Sequence, residues 1–205
     1  MTGRPMKPGL WAPRSVEETR RIYADWADTY EEDVNAAGYV TPARVASALR
    51  AHLPDTTTPV LDFGCGTGLS GAALQAEGFA TVDGTDISPE MLEQARTKGL
   101  YRNLVIGDPE APPQVAGYGA VIATGVISLG AAPADMLDAV LTQLTRGALL
   151  VFSYNDATLV TSDYLDAVAQ VQADGLARLL WAEYGPHLPR TEGAMGSTVY
   201  VLSRL

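Results

Sequence analysis

The sequence predicts an α/β protein built on a doubly wound, mostly parallel sheet, and two features carry that prediction. The first is Val60-Leu61-Asp62-Phe63-Gly64-Cys65-Gly66-Thr67-Gly68-Leu69-Ser70-Gly71, which reads as strand, glycine turn and helix. Val60, Leu61 and Phe63 suit a short strand buried on both faces. Glycines at 64, 66 and 68 let the backbone turn sharply and come close to a ligand, because no Cβ stands in the way. A helix beginning between Thr67 and Leu69 then aims its free N–H groups at that ligand. The second feature is Asp86, an acid at the end of the next predicted strand, at a distance that suits one βαβ crossover and the recognition of ribose hydroxyls.

Composition narrows the function before any motif is weighed. A chain of 205 residues is long enough for one sizeable core and short for two, so residues 15–205 are expected to form one domain. The net charge of −10 argues against nucleic acid as a partner, since duplex binding needs a basic stripe to displace counterions. A single cysteine excludes an internal disulfide, and with two histidines no zinc cluster can be assembled, so no metal is expected. No apolar run approaches the ~18 residues of a membrane span, and no apolar core follows Arg4 and Lys7 as a secretory signal requires. A cytoplasmic location is the expectation.

Along the chain, residues 1–14 read as a flexible leader or a strap, with Leu10 and Trp11 as apolar anchors. Ser15-Val16-Glu17-Glu18 has the form of a capping box and opens a helix predicted to run to Asp33. Its Tyr23, Trp26 and Tyr30 fall on one face. Thr41-Pro42 starts a second helix, Thr41 as cap, that ends before Pro54, so residues 15–55 hold two N-terminal helices. After the glycine turn the helix continues to Ala76 and ends at Gly78. Strands are predicted at 79–85, 104–106, 118–124 and 148–152, with helices opening at Ser88-Pro89 and spanning 135–144 and 162–174. Two closing strands, 176–183 and 197–203, flank a Gly/Pro-rich loop that contains His187.

The details of the glycine turn choose between ligands. A dinucleotide fingerprint needs a further glycine where Leu69 stands, which disfavours a nicotinamide-dependent oxidoreductase. Asp62, just before the turn, would repel a pyrophosphate and suit an ammonium-bearing ligand. Cys65, inside the turn, reads as a small apolar filler.

That turn resembles motif I of the class I S-adenosylmethionine (SAM) methyltransferases, whose fold is Rossmann-like, seven-stranded and closed by a reversed C-terminal hairpin. Tyr23-Ala24-Asp25-Trp26-Ala27-Asp28-Thr29-Tyr30-Glu31 resembles the lid segment of small-molecule members, and Asp86-Ile87-Ser88-Pro89-Glu90-Met91-Leu92 the motif after strand 2. Residues 91–96, Gly99-Leu100-Tyr101 and Val199-Tyr200-Val201-Leu202 narrow the likeness to the Williams–Beuren syndrome chromosomal region methyltransferase-like proteins. The resemblance implies SAM as cofactor and S-adenosylhomocysteine as product. It assigns to the cofactor Tyr23, Trp26 and Tyr30; Asp62, Gly64, Cys65, Gly66, Thr67, Gly68 and Leu69; Asp86, Ile87 and Met91; Gly107 and Asp108; and Thr124. The expected acceptor is a small molecule held in a pocket lined by Trp26, Ile127, Tyr154 and Trp181, with His187 as base and Tyr154 as orienting residue. Thr124-Gly125-Val126-Ile127 departs from the Asn/Asp-Pro-Pro-aromatic motif of enzymes that methylate planar amines, and Asn155-Asp156 lacks the partner acid of metal-dependent relatives. The alternatives left open are a SAM-binding regulator and a protein methyltransferase, as monomer or homodimer.

Overall fold

The computed structural model describes residues 6, 7 and 9–205, so part of the expected leader, residues 1–5 and Pro8, lies outside them. Strands β1 (Val60–Phe63), β2 (Val82–Asp86), β3 (Leu104–Ile106), β4 (Ala120–Ala123) and β5 (Leu149–Asn155) pair in parallel. β7 (Met195–Arg204) runs antiparallel between β5 and β6 (Ala177–Leu188), which gives the order β3-β2-β1-β4-β5-β7-β6. The direction of growth switches between β1 and β4, the place where open α/β sheets bind ligands beyond the carboxyl ends of their strands.

Strand alternation divides the core into two layers. Val60, Ile122, Val151, Val199 and Val201 face Val45 and Leu49 of α3 (Thr41–His52) and Leu74 of α4 (Leu69–Ala76). On the opposite side, Leu61, Val121, Leu150, Phe152 and Leu202 face Leu137 and Leu141 of α6 (Met136–Gln143) and, beyond the short α7 (Asp156–Leu159), Val168 and Val171 of α8 (Ser162–Ala173). α5 (Pro89–Thr97), capped by Ser88, buries Met91, Leu92 and Ala95. Burial of this kind contributes ~25 cal/mol for each Å² of apolar surface withdrawn from water, which is why β5 carries seven buried residues in succession.

The N-terminal helix differs from expectation. The capping box forms, with Glu18 N donating to Ser15 Oγ and Ser15 N donating to Glu18 Oε2, but α1 covers only Val16–Ala24. The chain then turns and resumes as α2 (Tyr30–Ala36). Asp25, Asp28 and Thr29 are weak helix formers, and the break lets Trp26 swing inward to 1% exposure, where its Nε1 donates to Asp33 Oδ2 at 2.8 Å. Thr41, expected as a cap, is itself helical behind Val40, and its hydroxyl turns to His187 instead.

Two strands run longer than their sequence suggests, and both changes move site residues. β5 continues to Asn155, and β6 continues through Pro186 and His187 to Leu188. Pro186 is tolerated because β6 is an edge strand, with a register shift between Pro186 and Leu188. No helix among the described residues is long and apolar enough to cross a membrane.

Candidate functional site

A cavity of about 210 Å³ opens at the carboxyl ends of the parallel strands. Gly64 and Gly66 after β1, Asp86 and Ile87 at the end of β2, Gly107 and Asp108 after β3, and Thr124 and Gly125 after β4 line it, with Met91 of α5. Asn155, at the end of β5, and His187, one residue before the end of β6, line the same cavity. Its other wall is largely apolar and includes Met6, Leu10, Trp11, Tyr23, Trp26, Tyr30, Leu129 and Met136.

The glycine turn does what its sequence implies. Gly64, Gly66 and Gly68 hold φ of 70°, 53° and 97°, the left-handed region that side chains avoid. A Cβ at Gly64 would stand 2.2 Å from Val126 Cγ2, whereas one at Gly66 would meet no atom within 4 Å and would enter the cavity. Gly66 N donates to Asp86 Oδ2 at 2.8 Å and Ser88 N to Asp86 Oδ1 at 2.9 Å, so this half-buried carboxylate ties the turn to β2. Burial raises its pKa, opposed by the backbone N–H groups of Ser88 and Gly66.

Beneath the turn lies a pair that sequence reasoning did not assemble. Tyr101 Oη donates to Asp62 Oδ2 at 2.8 Å and accepts from Gly71 N at 3.1 Å. The ring occupies a slot that exists because two neighbours lack side chains: a Cβ would stand 2.4 Å from it at Gly71 and 3.1 Å from it at Gly84. Glycine within a helix and within a strand costs stability, and that pairing was the available signal. Burial lifts the Asp62 carboxyl to a pKa of about 7, with the Tyr101 hydrogen bond opposing it.

Of the predicted cofactor residues, Tyr23, Trp26, Tyr30, Gly64, Gly66, Asp86, Ile87, Met91, Gly107, Asp108 and Thr124 converge on the cavity. Asp62, Cys65, Thr67, Gly68 and Leu69 do not line it; they lie behind the turn, with Leu69 packed beneath the aromatic cluster. Burial pushes the Cys65 thiol far up, which suits a filler and not a nucleophile.

The expected acceptor pocket requires correction. Tyr154 and Ile127 are fully enclosed in the core between the sheet and helices α6 and α8. Because β5 extends to Asn155, alternation sends Tyr154 toward Tyr164 and leaves Asn155 to the cavity. Trp181, on the edge strand, packs beside His52 on the α3 side of the sheet. His187 does reach the cavity, but as a buried strand residue and not a loop one. Burial lowers its pKa to about 4, so the premise of a base poised near neutrality fails.

The segment ahead of α1 behaves as a strap. Arg14 Nη1 donates to Leu10 O at 2.8 Å and Gly9 O at 3.1 Å, and its Nε donates to Thr19 Oγ1 at 2.9 Å. Thr19 Oγ1 lies 3.3 Å from Gly130 O, so strap, α1 and the loop after β4 meet at one clasp. Gly130 is required there, since a Cβ would stand 2.8 Å from Leu10 O. Leu10 joins Trp26 and Val34 in a small apolar cluster, in which Trp26 meets Tyr30 edge-on at 4.8 Å.

A family profile described as a methyltransferase domain matches residues 60–147, from β1 to the turn before β5. Methyltransferase-like protein 27 of Homo sapiens is 37% identical over 121 residues, 57% of this chain and 49% of the relative. The chain thus spans about half the length of that relative. Magnesium protoporphyrin IX methyltransferase from Synechocystis PCC 6803, solved with bound SAM, superposes with a TM-score of 0.70 at 19% identity, covering 95% of this chain and 99% of that one. The cyclase SpnF superposes at 0.68 with 11% identity, covering 94% and 98%, a reminder that this sheet alone does not name a reaction. A methyltransferase domain is thus matched over residues 60–147, and the fold of the chain is that of the SAM-bound structure.

Proposed function

We propose that this chain transfers the methyl group of SAM to a small, partly apolar molecule. The observation that carries the reading is that one cavity has both walls: the glycine turn with Asp86 on one side, and Leu10, Trp11, Leu129 and Met136 on the other.

The residues present fit the cofactor. Gly66 offers an open face where a Cβ would intrude, and Thr124 Oγ1 is buried at the cavity without a partner among the described residues. Asp86 uses one lone pair of each oxygen on Gly66 and Ser88 and keeps the others for ribose hydroxyls. Asp108, exposed at the end of β3, is suited to the adenine amine, with Ile87 and Met91 against the ring. Gly64 and Gly66 face the methionine portion, and Tyr23, Trp26 and Tyr30 present aromatic surface that attracts a cation. SAM supplies an electrophilic methyl on a positively charged sulfur.

The protein's contribution is positioning and exclusion of water. Holding a nucleophile about 3–3.5 Å from the methyl carbon, in a space shielded from solvent, supplies much of the acceleration when charge disappears in the transition state. Neutral His187 does not serve as the base. The strap narrows access against a folded protein, and a charge of −10 disfavours RNA. The test is a screen of small metabolites with methyl-labelled SAM. Label is expected in a small, partly apolar product; label confined to proteins or RNA refutes the acceptor class, and none in any fraction leaves a SAM-binding regulator.

A further inference from the structure

Behind the cavity wall, four side chains form a buried hydrogen-bonded chain. Arg44 of α3 reaches across to β7, where its Nη1 donates to Ser197 Oγ at 2.9 Å. Ser197 Oγ lies 3.3 Å from Thr41 Oγ1, and Thr41 Oγ1 lies 2.8 Å from His187 Nδ1. Ser197 and Thr41 are fully enclosed, and His187 is 6% exposed.

The chain has one consistent direction. A guanidinium only donates, so Ser197 Oγ accepts from Arg44. If Ser197 then donates to Thr41 and Thr41 to His187 Nδ1, every hydroxyl proton finds an acceptor. In the reverse order Nδ1–H donates to Thr41, Thr41 to Ser197, and the Ser197 proton has no acceptor among the described residues. A buried polar group left unpaired is the costly outcome. The network therefore assigns His187 the tautomer with Nδ1 bare and Nε2 protonated. Burial keeps the ring neutral, with Asp156 drawing its pKa up and Arg44 pressing it down.

Among the described residues Nε2 has no partner, and the ring forms part of the cavity wall. Tyr39 meets it edge-on with centroids 5.1 Å apart, and the Tyr39 hydroxyl lies 3.5 Å from the place of a Cβ on Gly125, next to Thr124. Polar groups near the ends of β4 and β6 thus lie close together on the cavity wall.

Resting on the small-acceptor reading above, we propose that His187 is a specificity-determining donor, whose Nε2–H, oriented by Arg44, Ser197 and Thr41, reads a carbonyl or carboxylate oxygen on the molecule to be methylated. The role is the inverse of a base: the protein supplies a hydrogen and demands an oxygen. A molecule of the same shape without that oxygen leaves the buried N–H unpaired and is rejected, the asymmetry by which polar sites discriminate.

Ring-nitrogen NMR tests this with a built-in control, because the chain has two histidines. His52 Nδ1 lies 2.9 Å from Ala48 O, a carbonyl that only accepts, so His52 holds its proton on Nδ1. At neutral pH the two rings are expected to show opposite tautomers. Thr41→Val should release the His187 preference, whereas Ser197→Ala, which leaves the Thr41 hydroxyl able to donate to Nδ1, should keep it; both should leave His52 and the calorimetric affinity for S-adenosylhomocysteine unchanged. Protein saturated with S-adenosylhomocysteine is then titrated with 4-hydroxyacetophenone and with 4-ethylphenol, a similar ring without the carbonyl. The first should shift the Nε2 resonance and bind about tenfold more weakly to His187→Phe; the second should do neither. A charged or Nδ1-protonated His187, a preference that survives Thr41→Val, or probes that do not differ overturns the proposal. Failure of S-adenosylhomocysteine to bind the unaltered protein sinks the cofactor reading instead, and leaves the tautomer result standing.

Discussion

Asp62 and His187 are buried ionisable groups whose shifts oppose one another. With its pKa raised by burial to about 7, native Asp62 holds a proton over the window from the ordinary carboxylate range, about 4, to about 7, where the unfolded chain has lost it. Stability from this group is therefore greatest at low pH and falls as pH rises through that window, by up to about 1.4 kcal/mol per unit. His187, depressed to about 4, refuses a proton that the unfolded chain binds below its ordinary value near 6.5, so its contribution is lost as pH falls from about 6.5 to about 4. The two slopes cancel in the overlap. Asp62→Asn keeps an oxygen for Tyr101 Oη and removes one of them, so its stability should rise with pH between about 4.5 and 6.5 while that of the unaltered protein stays nearly flat. Urea unfolding at those two pH values checks this, and parallel behaviour of the two proteins contradicts it. Tyr154 offers a second single-residue test, since its hydroxyl is buried in apolar surroundings without a partner among the described residues. Tyr154→Phe should raise stability by about 1 kcal/mol and leave S-adenosylhomocysteine affinity unchanged; a loss of affinity would return Tyr154 to the site.

At the level of elements, the strap and the loop after β4 depend on a close approach that only glycine permits. Gly130→Ala adds a Cβ 2.8 Å from Leu10 O at a φ of +82°, so the strap must lift, at a cost of about 1–3 kcal/mol. Limited proteolysis should then cut residues 9–14 faster in the variant, and S-adenosylhomocysteine should slow cutting there and across residues 15–36 in the unaltered protein. Equal digestion in all samples would make the strap ordinary packing. The same comparison of elements shows what the sequence could reveal. The turn at Gly64 and the acid at Asp86 were legible because their chemistry is local: positive φ demands glycine, and a strand end followed by Ser88-Pro89 declares a helix. Tyr154 was misplaced because the end of β5 is set by its pairing with β7, and His187 because Pro186 signals a loop in the sequence yet sits within the edge strand β6.

 Asn155 pairs with Ser197 and Leu149 with Ser203, and no local pattern reports partners so distant in sequence. The slot for Tyr101 left only a partial signal, since Gly71 and Gly84 are out of place in a helix and a strand but do not name the ring they admit.

For the molecule as a whole, the two cores hold the sheet rigid while its carboxyl edge, the strap and the aromatic cluster enclose one cavity. That division places binding where the strand order switches, and leaves stability to layers that no ligand touches. The net charge of −10 adds a long-range preference for cationic ligands, and SAM carries a sulfonium. We propose that this enclosed edge holds SAM with Asp86 on its ribose. Isothermal calorimetry with S-adenosylhomocysteine, on the unaltered chain and on Asp86→Ala, tests it most directly. The account predicts a dissociation constant on the order of micromolar for the unaltered chain, weakened by about 1.5–3 kcal/mol in the variant through loss of hydrogen bonds to a charged group. No binding to the unaltered chain, or equal affinity in a folded Asp86→Ala protein, contradicts it.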